Sequence, residues 1–102
     1  MIGDDGFDWD PPKAASNLRD HSVSFEQAKG VFRDPFAIEF EDDRKDYGES
    51  RYVIIGMTEG RVLVVVYAMR EDRTRLISAR KAEPHERRFY HEENRWRGLD
   101  GL

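Results

Sequence analysis

The sequence predicts a single α+β domain in which helices pack on a curved antiparallel sheet. Three runs rich in β-branched residues, "RYVIIGM", "RVLVVVYAMR" and "TRLISARKA", follow one another with only short turns between them. Two helix signals precede these runs and one follows, so the predicted order is β-α-α-β-β-β-β-α, with the first two helices on one face of the sheet. A chain of 102 residues is long enough for one modest core.

The amino-terminal elements are predicted from alternation and from helix caps. Phe7 and Trp9 alternate with acidic residues, which is typical of a short strand over 7–10. Asp10 is a candidate N-cap and Pro11 suits the first position of a helix that runs to about residue 20.

A second helix is predicted to begin at Ser24, because Ser24 and Gln27 have the spacing of a capping box. The dipeptide Asp34-Pro35 should close it. Its apolar stripe is more typical of a core face than of a binding face and consists of Phe25, Ala28, Val31 and Phe32.

The later elements begin with a strand over 36–41, in which apolar and acidic residues alternate. The 62–68 run has no polar alternation, so we place this strand in the middle of the sheet, covered on both faces. Pro84 opens the third helix, which should fade near Asn94. We therefore predict one domain over 1–102, with a core at about 7–94 and a loose tail over 95–102.

Composition excludes several classes of protein. Apolar residues make up 38% and charged residues 37%, which is typical of a folded, highly charged domain. The absence of cysteine excludes disulfides, thiolate metal sites and cysteine nucleophiles. The start "MIGDDGFDWD" is acidic where a signal peptide would be basic, and no apolar run would span a bilayer, so we expect a cytoplasmic protein.

Charge is sorted along the chain. Residues 1–50 hold 6 Lys+Arg against 13 Asp+Glu, a balance of −7, whereas residues 51–102 hold 11 against 8, a balance of +3. Of the 17 basic residues 13 are arginine, whose planar fork suits phosphate or carboxylate. This bias indicates an anionic partner, although arginine-rich usage in a GC-rich genome would give the same composition.

Several segments together resemble the BrnT family of bacterial type II toxins. These are "FDWDPPKAASNLRDHSVSFEQAKGVF", "RYVIIGM", "RVLVVVY" and "RLISARKAEPHERRFY", which occur in the family's order and spacing over about residues 7–91. One departure is Ser22, where the family usually has glycine, so the turn after the first helix must form without glycine's freedom.

The resemblance implies a RelE-like fold and a ribonuclease that cuts RNA and arrests growth without a cofactor. It also implies a BrnA-like antitoxin that carries a DNA-binding domain, neutralises the toxin and represses the shared operon. Operator DNA would then be bound only through the antitoxin, and a homodimer within the toxin–antitoxin complex is compatible with the resemblance.

Five residues at basic or histidine positions of the family pattern are the candidate catalytic residues: Lys13, His21, Arg51, Arg75 and Arg80. Metal-free RNA cleavage needs a base for the 2′-OH, cations for the phosphorane and an acid for the leaving oxygen. We expect the three arginines to meet in one hollow, unneutralised by the protein's own acids. Strand alternation puts Arg75 and Arg80 on opposite faces unless the strand twists. An ion pair is the ordinary alternative for any arginine.

The other candidates have stronger structural alternatives. His21 equally suits a helix C-cap, and Lys13 equally suits solvated surface. Glu86 is a candidate base, although capping or pairing with arginine is the commoner use of such a residue. The candidate RNA-binding residues are Arg87, Arg88, Tyr90 and Trp9; for the two aromatic residues, core packing is the alternative.

The spacing of His21, His85 and His91 does not suit a metal site, and the last two are predicted to lie on the surface. A second function stays open, namely a binding module that keeps the toxin fold and the antitoxin interface but does not cleave RNA. Convergent arginines with a titrating neighbour would favour the nuclease, because docking alone does not need them.

Overall fold

The computed structural model describes residues 5–43 and 48–95. The predicted tail begins at residue 95 and so lies almost wholly outside the described residues. Within them, the elements occur in the predicted order and have the following bounds: β1 Phe7–Trp9, α1 Pro11–His21, α2 Phe25–Ala28 with a 3₁₀ continuation Lys29–Arg33, β2 Ile38–Asp42, β3 Arg51–Thr58, β4 Arg61–Arg70, β5 Arg73–Lys81 and α3 Pro84–Glu93.

The strands form one sheet in the order β1-β5-β4-β3-β2, which confirms the α+β class and the central position of β4. The pairs β2–β3, β3–β4 and β4–β5 are antiparallel. The prediction of a wholly antiparallel sheet is wrong for β1, which pairs with β5 in parallel. The reason is that α1 and α2 carry the chain from β1 across one face to the opposite edge, where β2 begins, and the antiparallel strands β2 to β5 then return so that β5 runs beside β1 in the same direction.

The helix-covered face of the sheet holds the larger core, as predicted. Leu63 and Val65 of β4 and Leu76 of β5 are at most 1% exposed beneath Phe25 and Val31 from the α2 segment. A chain of edge-to-face and stacked rings continues this core, with Phe32 5.1 Å from both Phe7 and Tyr67 between ring centroids. Burial on this scale makes the helix-covered face a rigid support for the opposite one.

The opposite face, which we call the open face, carries a smaller core of Val53, Ile55, Val62 and Val64. Helix α3 covers the part of this face near Val62, which we call its lower part, through the buried Tyr90. The Tyr90 hydroxyl donates a hydrogen bond to Asp34 Oδ2 at 2.5 Å. Burial and this carboxylate raise the pKa of Tyr90. The other end of the face, near Ala68 of β4, is its upper part, and no described helix covers it.

The local signals for the second helix and for its ends are confirmed in part. Ser24 and Gln27 form both bonds of the predicted capping box, but after Ala28 the helix tightens into the 3₁₀ segment. Strand β2 begins two residues later than predicted, because the Asp34 carboxylate accepts the amide of Phe36 and holds a turn there. No described helix has the length and apolarity to cross a membrane.

Candidate active site on the open face

A β-bulge in β5 decides where the arginines point. Val66 pairs with Ser78, but the next β4 residue, Tyr67, pairs with Leu76, so Ile77 is the extra residue. The bulge reverses the alternation of side chains at this point. The prediction that Arg75 and Arg80 lie on opposite faces is therefore wrong.

Both arginines lie on the open face, since they pair with Ala68 and Val64, which alternate with the core residues of the helix-covered face. Arg51 joins them from β3 because it also pairs with Ala68. One row across the sheet thus contains Asp8, Arg75, Ala68, Arg51 and Asp42 in adjacent strands.

The upper end of the open face is rich in guanidinium groups. Arg51, Arg70, Arg73 and Arg75, which we call the arginine cluster, surround the carboxylates of Asp8 and Glu49. Asp42 pairs with Arg51 in the same row, so four cations against three carboxylates leave a formal charge of +1. The hydrogen bonds from Arg70 to both Glu49 oxygens, each 3.0 Å, hold the pKa of Glu49 below its ordinary value, and the charges of Arg51 and Arg75 act in the same direction.

The lower end of the open face contains a hollow of about 390 Å³, which we call the aliphatic hollow. Its floor consists of Val53, Ile55, Val64 and Val66, and its rim consists of Phe40, Glu41, Asp42, Asp43, Ser78, Arg80 and Glu86. Four rim carboxylates against one arginine give a formal charge of −3. The two ends of one face therefore differ in both polarity and sign of charge.

Arg80 is held at the rim by Glu86. The two guanidinium nitrogens donate to the two Glu86 oxygens at 2.7 and 2.8 Å, a bidentate pair of the strong kind. Glu86 Oε1 also accepts the backbone amide of Glu83 at 2.8 Å, so the same carboxylate caps α3. Its bond with Arg80 lowers the Glu86 pKa to about 2, which makes this residue a poor base at neutral pH.

His21 lies next to Arg80. A second, more open hollow at the edge of β5 is lined by Asp20, His21, Arg80, Lys81 and Glu83. His21 is the last residue of α1 and is exposed. The structure thus brings together His21 and Arg80, which are far apart in sequence.

The remaining candidates lie elsewhere. Lys13 is exposed on α1, on the helix-covered side of the sheet. Trp9 also lies on that side, 5.6 Å from Phe25 between ring centroids, which favours packing over base stacking. The hydroxyl of Tyr90 is bonded to Asp34 and its ring is 5% exposed.

The two α3 arginines, Arg87 and Arg88, are both exposed, and Arg87 donates to the carbonyl of Ala82 at 2.9 Å. His85 and His91 are exposed as predicted. The ligand atoms of Glu83, His85 and Glu86 lie within 4.8 Å of one another, but Glu86 is already occupied by Arg80 and by the helix cap.

The expectation that the three arginines meet in one hollow and are unneutralised is wrong, since Arg80 lines the aliphatic hollow but Arg51 and Arg75 do not. Arg51 Nε lies 3.7 Å from Glu49, Arg75 lies 3.4 Å from Asp8, and Arg80 is paired with Glu86. The physical reason is that strand pairing places acidic residues of β1 and of the segment before β3 beside the β5 arginines, where unpaired guanidinium groups would be costly. A phosphate must therefore compete with carboxylates.

Sequence reasoning missed three residues. Arg70 and Arg73 complete the arginine cluster from the β4–β5 turn, where a hairpin brings its two flanking arginines into register. Asn17 is 6% exposed, and its amide bonds to Ala79 N, Ala79 O and Val23 O at 2.8–3.0 Å. A lone asparagine in an amphipathic helix was the available signal for this last contact.

The Asn17 amide takes the place of a strand along β5. Strand β1 pairs with β5 at residues 74–76, and beyond them no strand within 5–43 or 48–95 pairs with this edge of β5. By bonding Ala79 on this edge, Asn17 fixes the segment that carries Arg80.

Comparison with known proteins identifies the family of the chain. A family model described as the ribonuclease toxin BrnT of type II toxin–antitoxin systems matches residues 9–86. No curated protein matches the chain. The matched segment runs from Trp9, the last residue of β1, to Glu86 and so contains β2 to β5 and the Arg80–Glu86 pair. On this match the chain belongs to the BrnT family of ribonuclease toxins.

Proposed function

We propose that this chain is a metal-independent endoribonuclease that cleaves RNA on the open face, beside Arg80. The observation that carries the proposal is the bulge at Ile77, which turns Arg75 and Arg80 to the same face as Arg51. Arginines of two strands then face one strand of RNA, and phosphate is the group that the guanidinium fork binds best.

The arginines divide into a binding set and a reacting set. The Arg75 and Arg80 rows are four residues apart along β4, or roughly 13 Å at about 3.3 Å per residue. A single phosphate does not span this distance, so the arginine cluster holds a neighbouring part of the RNA backbone. Arg80 contacts the phosphate that reacts.

In the proposed reaction, the 2′-oxygen of the RNA attacks the adjacent phosphorus. A new P–O2′ bond forms, the P–O5′ bond breaks, and the products are a 2′,3′-cyclic phosphate and a 5′-hydroxyl end. Arg80 stabilises the charge of the phosphorane. His21 accepts the proton of the 2′-OH and returns a proton to the leaving 5′-oxygen, because it lies in the same hollow as Arg80 and an imidazole can both accept and donate a proton.

Glu86 must release the Arg80 guanidinium when RNA binds. Its two bonds with Arg80 occupy the same fork that a phosphate would use. RNA binding therefore exchanges one anion for another on Arg80, while the second role of Glu86 as the α3 cap is retained.

A second candidate function is an antitoxin-binding module that does not cleave RNA. The observation in its favour is that Arg51, Arg75 and Arg80 are each paired with a carboxylate. On either account, the partner is a BrnA-like antitoxin whose DNA-binding domain contacts the operator, so that this chain reaches DNA only through the antitoxin.

The deciding experiment measures RNA degradation by the purified protein in excess chelator. We expect cleavage by the unchanged protein and none by Arg80→Ala, with the 2′,3′-cyclic phosphate identified on the product. Arg19→Ala is the matched control, because the Arg19 side chain is 72% exposed and bonds only its neighbour Asp20 among the described residues. Unfolding curves establish that each variant is folded.

Two results would count against this proposal. Undiminished cleavage by Arg80→Ala would remove Arg80 from the site. A folded, antitoxin-binding protein that leaves RNA intact would favour the second candidate. We also expect cleavage to fall steeply with added salt, because RNA binding releases counterions; a rate that is flat from low to physiological salt would show that phosphate contacts do not limit it.

A further inference from the structure

The aliphatic hollow does not suit the RNA backbone. Its floor is formed by four β-branched side chains, and Phe40 at its rim is 47% exposed. The floor itself is largely buried, with Val53, Ile55 and Val64 at 4–6% exposed, so the Phe40 ring provides most of the exposed apolar surface; an exposed ring beside an aliphatic hollow is typical of contact sites for other proteins.

The rim charge points to the kind of partner. Glu41 and Asp43 are exposed, and the complete rim has a formal charge of −3. Such a field repels phosphate and attracts lysine and arginine. The ligand that fits is therefore apolar along its centre and basic along its sides.

Strand β2 adds a third feature. It is the last strand of the sheet, and no described strand pairs with its outer edge. Edge strands of this kind bind extended segments through backbone hydrogen bonds, with alternate side chains entering a pocket. In β2, Ile38 and Phe40 point to the open face, since they pair with Ile55 and Val53.

We propose that the aliphatic hollow and the edge of β2 receive an extended segment of a protein partner in which valine-like or leucine-like residues alternate with lysine or arginine. This inference rests on the proposed function in one respect: we assign the segment to the antitoxin. Its apolar side chains enter the hollow, and its cations lie against Glu41 and Asp43.

Binding in the aliphatic hollow also affects Arg80. Arg80 lines both the aliphatic hollow and the hollow that contains His21. A segment seated in the aliphatic hollow therefore covers Arg80 from the side on which Glu86 holds it. Neutralisation then needs no acidic group from the partner, because Glu86 already occupies the guanidinium.

The test uses a fluorescein-labelled peptide of eight residues in which valine and lysine alternate, and a matched peptide with glutamate in place of lysine. Fluorescence anisotropy with the full chain should show binding of the lysine peptide and at least about ten-fold weaker binding of the glutamate peptide, a ratio equivalent to about 1.4 kcal/mol. Equal affinities would overturn the charge argument.

Two variants locate the contact. We expect the double change Glu41→Lys and Asp43→Lys to weaken binding of the lysine peptide about ten-fold, since two attractive rim charges are replaced by two that repel the peptide. Glu93→Lys, an equal change at an exposed position of α3, should leave its affinity unchanged. Phe40→Ala should weaken binding several-fold, whereas Phe89→Ala, also at an exposed ring, should not.

Failure of this inference is distinct from failure of the proposed function. Peptide affinity that is indifferent to the rim and Phe40 variants, or displacement of the peptide by an RNA oligonucleotide through a contact in the hollow, would overturn the inference and leave RNA cleavage by the unchanged protein intact. Conversely, a chain that binds the peptide at the rim but cleaves no RNA keeps the docking surface and loses the nuclease.

Discussion

The two ends of the open face are built on the same strands and yet have opposite chemistry. At the upper end, four arginines lie beside three carboxylates; at the lower end, four carboxylates and one arginine surround an aliphatic floor. The rows that define them are only about 13 Å apart at the rise of a β-strand. Adjacent surfaces of opposite charge are the basis of our two proposals, in which RNA runs from the arginine cluster to Arg80 and a basic protein segment occupies the aliphatic hollow.

The charge sorting along the chain explains this division. The acidic first half supplies Glu41, Asp42 and Asp43 through the edge strand β2, and the basic second half supplies the arginines of β3, β4 and β5. The sheet order then converts a separation in sequence into a separation in space. The net charge of −4 hides this difference completely.

The largest expected effect comes from removing two arginines from the upper end of the open face. We expect Arg51→Ala with Arg75→Ala to lower the affinity for a single-stranded RNA about 100-fold, because two guanidinium–phosphate contacts are lost at about 1.4 kcal/mol each. The slope of log affinity against log salt should fall by about 0.7 for each contact. Anisotropy titrations at several salt concentrations measure both quantities.

The lower end supplies the control for that prediction. Glu41→Lys with Asp43→Lys should leave the RNA affinity undiminished, because those carboxylates lie at the rim of the aliphatic hollow. If this pair of changes weakens RNA binding as much as the arginine pair does, the two ends do not act separately.

The next effect concerns the strand that both ends share. Asn17→Ala should lower the free energy of unfolding by about 2–3 kcal/mol, since it leaves buried groups of Ala79 and Val23 without their partner. Urea unfolding measures this loss. Ser16→Ala is the control, because the Ser16 hydroxyl bonds only the exposed carbonyl of Lys13 among the described residues, and it should cost under about 0.5 kcal/mol.

Asn17→Ala also tests whether β5 can be loosened near Arg80 without being loosened near Arg75. The change loosens β5 near Arg80 but not at residues 74–76, which β1 holds. Cleavage should therefore fall well below that of the Ser16→Ala protein, at a temperature where both are folded, while RNA affinity is kept. A parallel loss of both activities would mean that β5 moves as one unit.

A smaller effect is the acid sensitivity of the lower end. The Arg80 guanidinium holds the Glu86 pKa at about 2, below its ordinary value of 4.5. The stabilisation is complete above about pH 4.5 and is lost as the pH falls toward 2. We expect this ion pair to contribute about 1–2 kcal/mol to the free energy of unfolding. This is less than the pKa shift alone would give, because the Arg80 side chain is 38% exposed to solvent.

Unfolding free energies between pH 5 and pH 2 measure this contribution. Glu86→Gln should flatten the profile, whereas Glu93→Gln, which removes a charge from an exposed position of the same helix, should leave it steep. A Glu86→Gln profile as steep as that of the unchanged protein would show that the ion pair does not stabilise the fold.

The smallest effect lies at the turn beside His21. Ser22 has a φ of 58° and donates its amide to Leu18, so a non-glycine residue occupies a left-handed cap. Ser22→Gly should stabilise the protein by up to about 1 kcal/mol, because glycine adopts this conformation without the steric cost. Thermal unfolding measures the gain, and Ser16→Gly, within α1, should instead destabilise. A loss of stability in Ser22→Gly would contradict the cap argument.

Much of the fold follows from local patterns. The caps of α2, the proline at the start of α3 and the unbroken apolar run of β4 each depend on neighbouring residues, and each was predicted correctly. The parallel pairing of β1 was not predicted, because it depends on where two helices carry the chain. Such long-range geometry leaves no periodic signal in a three-residue strand.

The candidate site was harder to predict than the fold. Arg51, Arg75 and Arg80 were identified from positions in a family pattern, but their shared face depends on a bulge at Ile77, and "RLISARK" reads as a regular strand. Their pairing with Asp8, Glu49 and Glu86 depends on register between distant segments. Alternation alone therefore gave the wrong face for one arginine and the wrong electrostatic state for all three.

The most direct test of the division of the open face is an NMR titration of the full chain with an RNA oligonucleotide whose 2′-oxygens are methylated, so that it binds but is not cleaved. We expect the Nε–H signals of Arg51, Arg70, Arg73 and Arg75 to shift with RNA, and the methyl signals of Val53, which pairs with Phe40 and Val66 rather than with Arg80, to stay nearly unchanged. Shifts of the Val53 methyls without shifts of these arginines would contradict the assignment of RNA to the arginine end of the sheet.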